Sequence, residues 1–517
     1  MASTTTTRPT TRSATGSAAA RKRGEAAVRG PLFRAPAWLE GPMTSSQLVL
    51  GSAGLLLSIG LVMVFSASSM ESALNDGSPW APGLKQVAVA FVGLIGMFVA
   101  LRLPVGHLRR WSGIALLLSF VLLMAVLVPG IGKELNGARQ WINLGVTDFQ
   151  PSEFTKLVFA LWGAHVIAVR ERWLTTSSLL VPVLPVFAML SGLLILEPDM
   201  GAVVSLGLVL AGLLWAGGIS GRLIACGVGI AAGIVALMVA LAPYRLARVT
   251  SFLDPFADPL GDGFQAVRGL YALATGGFWG VGLGNSRMKW NLLPHAESDY
   301  IFAIIGEELG FLGCLVVITL YGVLAYAGFR IARRSADRFI QLASIAITVW
   351  LIGQATMNMG YVVGLLPVTG VQLPLVSAGG TSMVITLFIV GLLARFARSE
   401  PEAIAHLRAH RQAVPVGRLG RLGRWLLPVP PNAVDPLPTV GRRRPTADAP
   451  RRPAGRTVAR VRDGRAPAPA APVAPPARQT GRDRPTGRSA PARTPSRTPS
   501  RGQGDPRPRT DRPARPR

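Results

Sequence analysis

The stretch "PHAESDYIFAIIGEELGFLG", residues 294–313, decides how this chain folds. It opens a long apolar run, yet Asp299 stands at its start and Glu307 and Glu308 lie within it. Ionisable side chains inside a membrane-spanning segment are costly and usually mark a functional site or a buried partner. If this run crosses a membrane, its acids therefore need a function or a partner.

Apolar runs of the same kind follow one another from residue 45 to residue 398. Runs of about 20 apolar residues have the length that crosses the hydrocarbon layer. The sequence predicts an all-α, polytopic membrane protein of about ten transmembrane helices, with a large extracytoplasmic loop, residues 242–299, between spans 7 and 8. The predicted spans are 45–68, 84–103, 110–129, 154–170, 176–196, 200–218, 221–243, 300–328, 339–364 and 379–397.

Two basic tails flank this ten-span domain. The chain of 517 residues is 50% hydrophobic and 15% charged, yet its formal net charge is +28, because Arg is concentrated in residues 1–44 and 399–517. Such composition predicts disordered tails. Their charge suits membrane lipids or acidic proteins, or serves only orientation and solubility. Nucleic-acid binding is not expected, because residues 442–517 interleave no aromatic residues with the basic ones.

Short basic connections set the predicted orientation. Residues 101–110, 170–173 and 329–338 are rich in Arg, which places them in the cytoplasm by the positive-inside rule. Both termini are then cytoplasmic, and the polar motifs gather at the outer face. Cys226 and Cys314 lie in apolar runs and are predicted to be buried thiols.

The motif "QPSEFTK", residues 150–156, supplies the first candidate side chains of the outer face. Ser152 is a plausible helix N-cap, and Glu153 and Lys156 are three residues apart, so they can pair on one helical face. A pair that binds substrate and a pair that only fixes two helices are equally consistent with this spacing. Arg139, just upstream, belongs to a polar and aromatic cluster that also suits a membrane interface.

Further candidates lie in the outer loops. Arg245, Arg248 and Lys289 could meet an anionic group such as a diphosphate, or face water. The glycines of residues 274–286 do not match a nucleotide-binding loop. Ser377 lies in "QLPLVSAGGTS", an irregular Pro- and Gly-containing segment that is tolerated at membrane depth only when it is covered or lines a wet cavity. We expect this segment to complete the wall of the outer site.

The acids of the opening stretch fall into two groups. Asp299 is either a helix cap or a functional carboxylate, and local sequence favours neither. Glu307 and Glu308 follow roughly 12 Å further along a helix, too deep for solvated capping. They point to different faces, which predicts different partners within the helix bundle or on another protein.

Six motifs together resemble the SEDS family of cell-wall polymerases, the FtsW, RodA and SpoVE group, and its division branch most closely. They cover residues 45–398 in the family's order, and they are "MVFSASS", "ARQWINLG" with "QPSEFTK", "EPDMG", "ATGGFWGVGLGNS", "PHAESDYIFAIIGEELGF" and "LLPVTGVQLPLVSAGGTS".

The resemblance implies a peptidoglycan glycosyltransferase that polymerises lipid II outside the membrane. The growing chain would pass from its undecaprenyl diphosphate to the 4-hydroxyl of the incoming sugar. The family's essential acid corresponds to Asp299, and its Glu and Lys near the fourth span correspond to Glu153 and Lys156. A leaving diphosphate needs cations or a divalent metal, Mg or Mn, and the attacking hydroxyl needs one base.

The partners implied are lipid II, a single-pass class B penicillin-binding protein and other division proteins at the septum. Three alternatives stay open: a lipid II flippase, an elongation polymerase of the RodA type, and a membrane scaffold that recruits division proteins through its tail.

Overall fold

The computed structural model describes part of the chain: residues 40–75, 78–135, 138–143, 145, 148–170, 176–240, 252–261, 263–290, 293–294 and 296–413. Arg245, Arg248 and most of both predicted tails lie outside these residues.

Helices dominate the described chain, and ten of them coincide with the ten predicted spans. The helices are α1 (Thr44–Asn75), α2 (Ala81–Arg102), α3 (Val105–Leu127), α4 (Pro151–Arg170), α5 (Thr176–Leu196), α6 (Met200–Ala216), α7 (Gly221–Ala240), α8 (Phe264–Gly276), α9 (Ile301–Arg334), α10 (Arg338–Val362), α11 (Thr381–Ala397) and α12 (Pro401–Ala413). The two that match no predicted span are α8, inside the predicted outer loop, and α12.

The ten span helices are all apolar, but they differ in length. Within the described residues, α1, α2, α3, α4, α9 and α10 are long and apolar enough to cross a membrane, and α5, α6 and α7 are shorter apolar helices. Helix α11 passes the same test together with α12, from which a bend of 79° separates it. The prediction of a helical, polytopic fold is confirmed.

Helix α12 begins where the prediction placed a disordered tail. The tail was predicted to start at residue 399, but Pro401–Ala413 is helical, and Ala403 and Ile404 are buried. Glu400, also buried, pairs with Arg334 of α9 at 3.2 Å. The apolar side chains in this short stretch recur at helical spacing, a pattern that the basic composition of the whole tail concealed.

A small sheet that the sequence did not predict joins α3 to α4. It is antiparallel, in the order β1 (Gly132–Leu135), β2 (Ala138–Asn143) and β3 (Asp148–Phe149). Its strands are two to six residues long, too short for a clear alternating pattern. We call the end of the helix bundle that carries this sheet the sheet end.

Arginines lock the helices together at the opposite end. The Arg109 guanidinium forms a buried ion pair with Asp337, which also caps α10 by accepting from the N–H of Phe339 at 3.0 Å. Arg395 donates to the carbonyl of Leu103 at 3.1 Å. These bonds connect helices that lie far apart in sequence, so the basic residues at this end also have a structural role.

Exposure differs between helices as their positions in the bundle require. Cys314 of α9 is buried, as predicted, whereas Cys226 of α7 is exposed, so the prediction was wrong for Cys226. Most described side chains of α7 are exposed. An apolar sequence therefore did not imply that other parts of the protein bury the Cys226 thiol.

Helix α9 breaks at Gly310, and the glycine-rich loop that follows α8 fills the break. Gly310 has φ 69°, a conformation that glycine adopts without strain. The N–H groups of Val281 and Gly282 donate to the carbonyls of Glu307 at 2.9 Å and Glu308 at 3.0 Å. The loop thereby satisfies backbone groups that the break removes from the helical pattern.

Gly276 tests how tightly this loop is fitted. A methyl group at position 276 would overlap the carbonyl oxygen of Gly306, so Gly276→Ala must displace backbone. Overpacking of this kind costs about 1–3 kcal/mol, and we expect a lower melting temperature in detergent. Gly322→Ala, in α9 with nothing within 4 Å of its new methyl, is the control and should be neutral or slightly stabilising. Equal melting temperatures for the two variants would contradict the close fit.

Candidate active site at the sheet end

Asp299 lies immediately before α9 and is held through its backbone. Its carbonyl oxygen accepts hydrogen bonds from Asn358 Nδ2 at 3.0 Å and from the Tyr361 hydroxyl at 2.9 Å. Tyr300, not Asp299, occupies the N-cap position of α9, and its side chain makes no capping bond. The side chain of Asp299 is only half-buried. The structure therefore does not assign Asp299 the N-cap position that local sequence allowed.

The segment between α10 and α11 faces the Asp299 carboxyl. A Cβ at Gly370 would lie 3.9 Å from Asp299 Oδ2. Gly370 has φ 67°, a left-handed conformation that favours glycine. Next to it, the carbonyl oxygen of Val371 lies 2.8 Å from Asn358 Nδ2 and 3.0 Å from the Tyr361 hydroxyl, whose single proton is shared between this carbonyl and that of Asp299. This segment and the residues before α9 thus form one wall.

Ser377 belongs to the support of that wall. Its hydroxyl donates to the carbonyl of Ser298 at 2.6 Å and accepts from the N–H of Leu373 at 2.8 Å. The side chain is buried. Ser377 was predicted to bind substrate, which stays a prediction, and in the structure it fixes the segment just before Asp299. The sequence showed a polar residue in an irregular segment and could not show these two partners.

Glu153 and Lys156 form the ion pair that their spacing indicates. Lys156 Nζ lies 2.8 Å from Glu153 Oε1, and both side chains are almost completely covered. The same ammonium lies 5.3 Å from the centre of the Trp350 ring, within range of a cation–π contact.

Asp199 lies beside this pair and was not singled out from the sequence. Its Oδ1 accepts from the N–H of Ala202 at 2.8 Å, as an N-cap does, and its Oδ2 accepts from Ser152 Oγ and Gln150 Nε2, each at 3.3 Å. Ser152 was predicted to cap α4, which is wrong, because α4 begins at Pro151 and the Ser152 hydroxyl turns to Asp199. Burial raises the pKa of Asp199, although the bond to Ala202 and the charge of Lys156 oppose this.

Glu197 is a second buried acid in the same connection between α5 and α6. Its side chain is fully buried, and neither carboxyl oxygen has a hydrogen-bond partner among the described residues. Burial, and then the charge of Asp199, raise the pKa of Glu197 to about 8. The Glu197 carboxyl is therefore mainly protonated near neutral pH. The motif "EPDMG" marked this connection, but burial of its acids could not be read from it.

These groups converge on one site. Gly201, in the first turn of α6, approaches the wall segment so closely that a Cβ there would lie 2.9 Å from the carbonyl oxygen of Thr369. The starts of α4 and α6 are joined by the Ser152–Asp199 bond. We call Glu153, Lys156 and Asp199 the Lys156 cluster. The half-buried carboxylate Asp299 belongs to the same wall that, through Thr369, contacts the helix start next to this cluster.

The other predicted cations either have protein partners of their own or fall outside the described residues. Arg139 is partly exposed on β2 and pairs with Glu134 at 2.9 Å. Lys289 is buried, and its ammonium donates to the carbonyl of Gly284 in the glycine-rich loop. Arg245 and Arg248 fall outside the described residues. Among the described cations predicted to bind substrate, Lys156 is the one whose neighbours contact the wall that contains Asp299.

Glu307 and Glu308 share Ser286, whose N–H donates to Glu308 at 3.4 Å, and they differ in their other partners. Glu307 accepts from the hydroxyl of Ser286 and from the N–H of Arg287 at 2.9 Å. Glu308 accepts from the hydroxyl of Ser66 in α1, at 2.6 Å and 2.8 Å to its two oxygens. Both side chains are buried. These two acids join α9 to α1 and to the glycine-rich loop.

A metal ion held by protein ligands alone does not fit the described part of the site. Among the described residues, no three His, Cys, Asp or Glu side chains are grouped closely enough to hold a metal ion.

Comparison with known proteins identifies the family. The family model for cell cycle proteins of the FtsW, RodA and SpoVE group matches residues 46–402. The probable peptidoglycan glycosyltransferase FtsW of Mycobacterium tuberculosis is 46% identical over 402 residues, which are 77% of this chain and 76% of that protein. Stage V sporulation protein E of Bacillus subtilis is 37% identical over 346 residues, 66% of this chain and 94% of that protein.

Solved structures agree. A chain from a peptidoglycan synthase complex, in a structure that concerns coordination of polymerization and crosslinking, matches with a TM-score of 0.58 and 27% identity, over 68% of this chain and 97% of that one. The rod shape determining protein RodA of Thermus thermophilus matches with a TM-score of 0.52 and 25% identity, over 71% of this chain and 99% of that one. Fold and site define a multi-pass membrane protein. The chain belongs to the FtsW, RodA and SpoVE family, which confirms the resemblance seen in the sequence.

The raised pKa of Glu197 predicts a pH dependence of stability. Between about pH 4.5 and about pH 8, folded protein keeps a proton on Glu197 that the unfolded chain releases. The free energy of unfolding should therefore fall as pH rises through this window. Glu197→Gln, which stays neutral, should melt at a higher temperature than the parent near pH 8 and close to it near pH 5. A constant difference at both pH values would contradict a buried, titrating Glu197.

The Glu153–Lys156 pair predicts strong coupling. Lys156→Met leaves a buried carboxylate unpaired, which costs about 3–5 kcal/mol of unfolding free energy. Adding Glu153→Gln should restore most of that loss. The exposed pair Lys133–Asp148 is the control, since Lys133→Met there should cost less than about 1 kcal/mol. Denaturant unfolding of the variants measures each value, and additive losses in the double variant would show that the pair is not coupled.

Proposed function

We propose that this chain is a peptidoglycan glycosyltransferase that polymerises lipid II into glycan strands at the outer face of the cytoplasmic membrane. The observation that carries the proposal is the half-buried Asp299 carboxylate, fixed by its backbone on the wall that also meets the Lys156 cluster. The relatives named as probable peptidoglycan glycosyltransferases support it at 46% identity.

Asp299 acts as the general base. It takes the proton of the 4-hydroxyl of the incoming sugar while that oxygen forms a bond to the anomeric carbon of the growing chain. The bond from that carbon to the diphosphate oxygen breaks, and undecaprenyl diphosphate leaves with the electron pair. A carboxylate that is reached by both water and substrate is suited to this transfer, because it must bind the hydroxyl and later release the proton.

The leaving diphosphate requires positive charge nearby. Lys156, paired with Glu153, supplies a fixed positive group at the site, and Arg139, Arg245, Arg248 and Lys289 stay predicted contacts of the diphosphate or of the sugar. A divalent cation, Mg or Mn, is part of the same prediction. Such ions commonly use one or two carboxylates together with substrate phosphates, so they do not require a complete protein ligand set.

The proposal includes a partner and a place. The synthase complex that shares this fold supports a class B penicillin-binding protein that crosslinks the product. The FtsW relatives support a division role at the septum, together with other division proteins and membrane lipids. Both termini are cytoplasmic, in agreement with the arginines at the end of the bundle opposite the sheet.

The test is lipid II polymerisation by the full chain purified in lipid with its partner. Asp299→Asn should lower the rate by at least about a hundredfold, the lower limit of the range for loss of a general base. Asp258→Asn removes the same charge from an exposed turn in the loop before α8 and should keep the parent rate. Parent-like polymerisation by a folded Asp299→Asn variant would overturn the proposal, as would a parent chain that makes no polymer.

A further inference from the structure

A buried polar stripe runs along one face of α10. Trp350, Gln354, Asn358 and Tyr361 are separated by four, four and three residues, which places them on one side of the helix. Their exposed fractions are 1%, 3%, 0% and 2%. Polar side chains buried in an apolar bundle are costly unless they are hydrogen-bonded. We call these four residues the α10 ladder, and each of them has partners that reach the candidate active site.

The first two residues of the ladder, Trp350 and Gln354, begin beside the buried Glu153–Lys156 ion pair. Lys156 Nζ lies over the Trp350 ring, and Trp350 Nε1 donates to Gln354 Oε1 at 2.8 Å. Gln354 Nε2 in turn donates to the carbonyl of Gln372 at 3.0 Å. This half therefore connects the Lys156 ammonium to the backbone of the wall segment between α10 and α11.

The upper half of the ladder reaches Asp299. Asn358 Nδ2 lies 2.8 Å from the carbonyl oxygen of Val371 and 3.0 Å from that of Asp299. The Tyr361 hydroxyl lies 3.0 Å and 2.9 Å from the same two oxygens. The two side chains also contact each other, at 2.6 Å between Asn358 Nδ2 and the Tyr361 oxygen. The Asn358 and Tyr361 side chains thus bind two separate backbone segments, one before α9 and one after α10.

The ladder bonds to carbonyls of non-helical backbone. Asp299, Val371 and Gln372 lie outside helices and strands, so their carbonyls do not belong to a regular hydrogen-bond pattern of their own. Helix α10 runs without a break from Arg338 to Val362 and is mostly buried. A continuous, buried helix therefore sets the position of two irregular segments that form the wall of the site.

We propose that the α10 ladder is a positioning device, in which Asn358 and Tyr361 hold the Asp299 carboxyl in place relative to the Lys156–Glu153 pair for glycosyl transfer. The inference rests on the proposed function. Neither side chain needs to touch substrate, because each acts on the backbone of Asp299. Displacement of a reacting group by about 1 Å can cost a hundredfold in rate, so small movements of this wall matter.

Two variants test the ladder in the full chain. Tyr361→Phe removes the hydroxyl and keeps the ring that packs against Tyr300, with centroids 5.8 Å apart. Asn358→Ala removes the amide contacts with the carbonyls of Asp299 and Val371 and with the Tyr361 hydroxyl. Thr356→Val is the matched control, since Thr356 lies on the exposed side of the same helix and bonds only locally, to the carbonyl of Ile352.

The first measurement is the dependence of polymerisation rate on lipid II concentration. We expect kcat to fall about tenfold in Tyr361→Phe and about a hundredfold in Asn358→Ala, with KM changed less than about threefold. Thr356→Val should match the parent. A variant that merely loses folded protein would lower the rate in proportion to the folded fraction, which a thermal melt of the same sample measures. Unchanged kcat in both folded variants would overturn the inference.

The second measurement does not depend on activity. Hydrogen exchange of peptides that cover residues 296–300 and 370–373 should be at least about tenfold faster in Asn358→Ala than in the parent, because these segments lose their anchor. Thr356→Val should leave it unchanged. Equal hydrogen-exchange rates in the parent, Asn358→Ala and Thr356→Val would overturn the anchoring role of the ladder, whether or not the chain polymerises lipid II. Faster exchange in a chain whose Asp299→Asn variant still polymerises would instead overturn the proposed function and leave the ladder as an anchor of the wall.

Discussion

The carbonyl oxygen of Asp299 accepts hydrogen bonds from two side chains of α10, and the candidate site depends on this junction. In an apolar bundle, a backbone segment that leaves helical structure must find partners for its polar groups. The segment before α9 and the segment after α10 solve this problem together, through Asn358 and Tyr361. A carboxylate can therefore stand at the edge of the bundle with its own backbone fixed.

Carboxylates at the sheet end are balanced in several ways. Lys156 neutralises Glu153, Asp199 accepts hydrogen bonds, and Glu197 keeps a proton near neutral pH. Burial of an unpaired charge is the least favourable of these situations, and each acid avoids it by a different route. Asp299 differs from these three acids because its side chain is only half-buried, as the proposed proton transfer requires.

Hydropathy predicted the ten span helices because a membrane demands long, continuous apolar segments, and this demand is local in sequence. What it missed depends on which segments come into contact, near or distant in sequence. The short strands β1–β3 pair across turns, the Ser152 hydroxyl bonds to Asp199, and Ser377 bonds to Ser298. Asp299 was indicated by motif and position, whereas the ladder that anchors it is spread over residues that each look like ordinary helix interior. Substrate contacts of the predicted cations stay predictions.

The break at Gly310 divides α9 into a short first segment and a longer second segment. Its first turns are bonded through the carbonyls of Glu307 and Glu308 to the glycine-rich loop, and the remainder continues to Arg334 as a separate helical segment. The loop also bonds the far side of the break, because the N–H of Phe311 donates to the carbonyl of Gly277 at 3.0 Å. A displacement of the far segment would therefore be shared with the glycine-rich loop, which couples both parts of α9 to the end of α8.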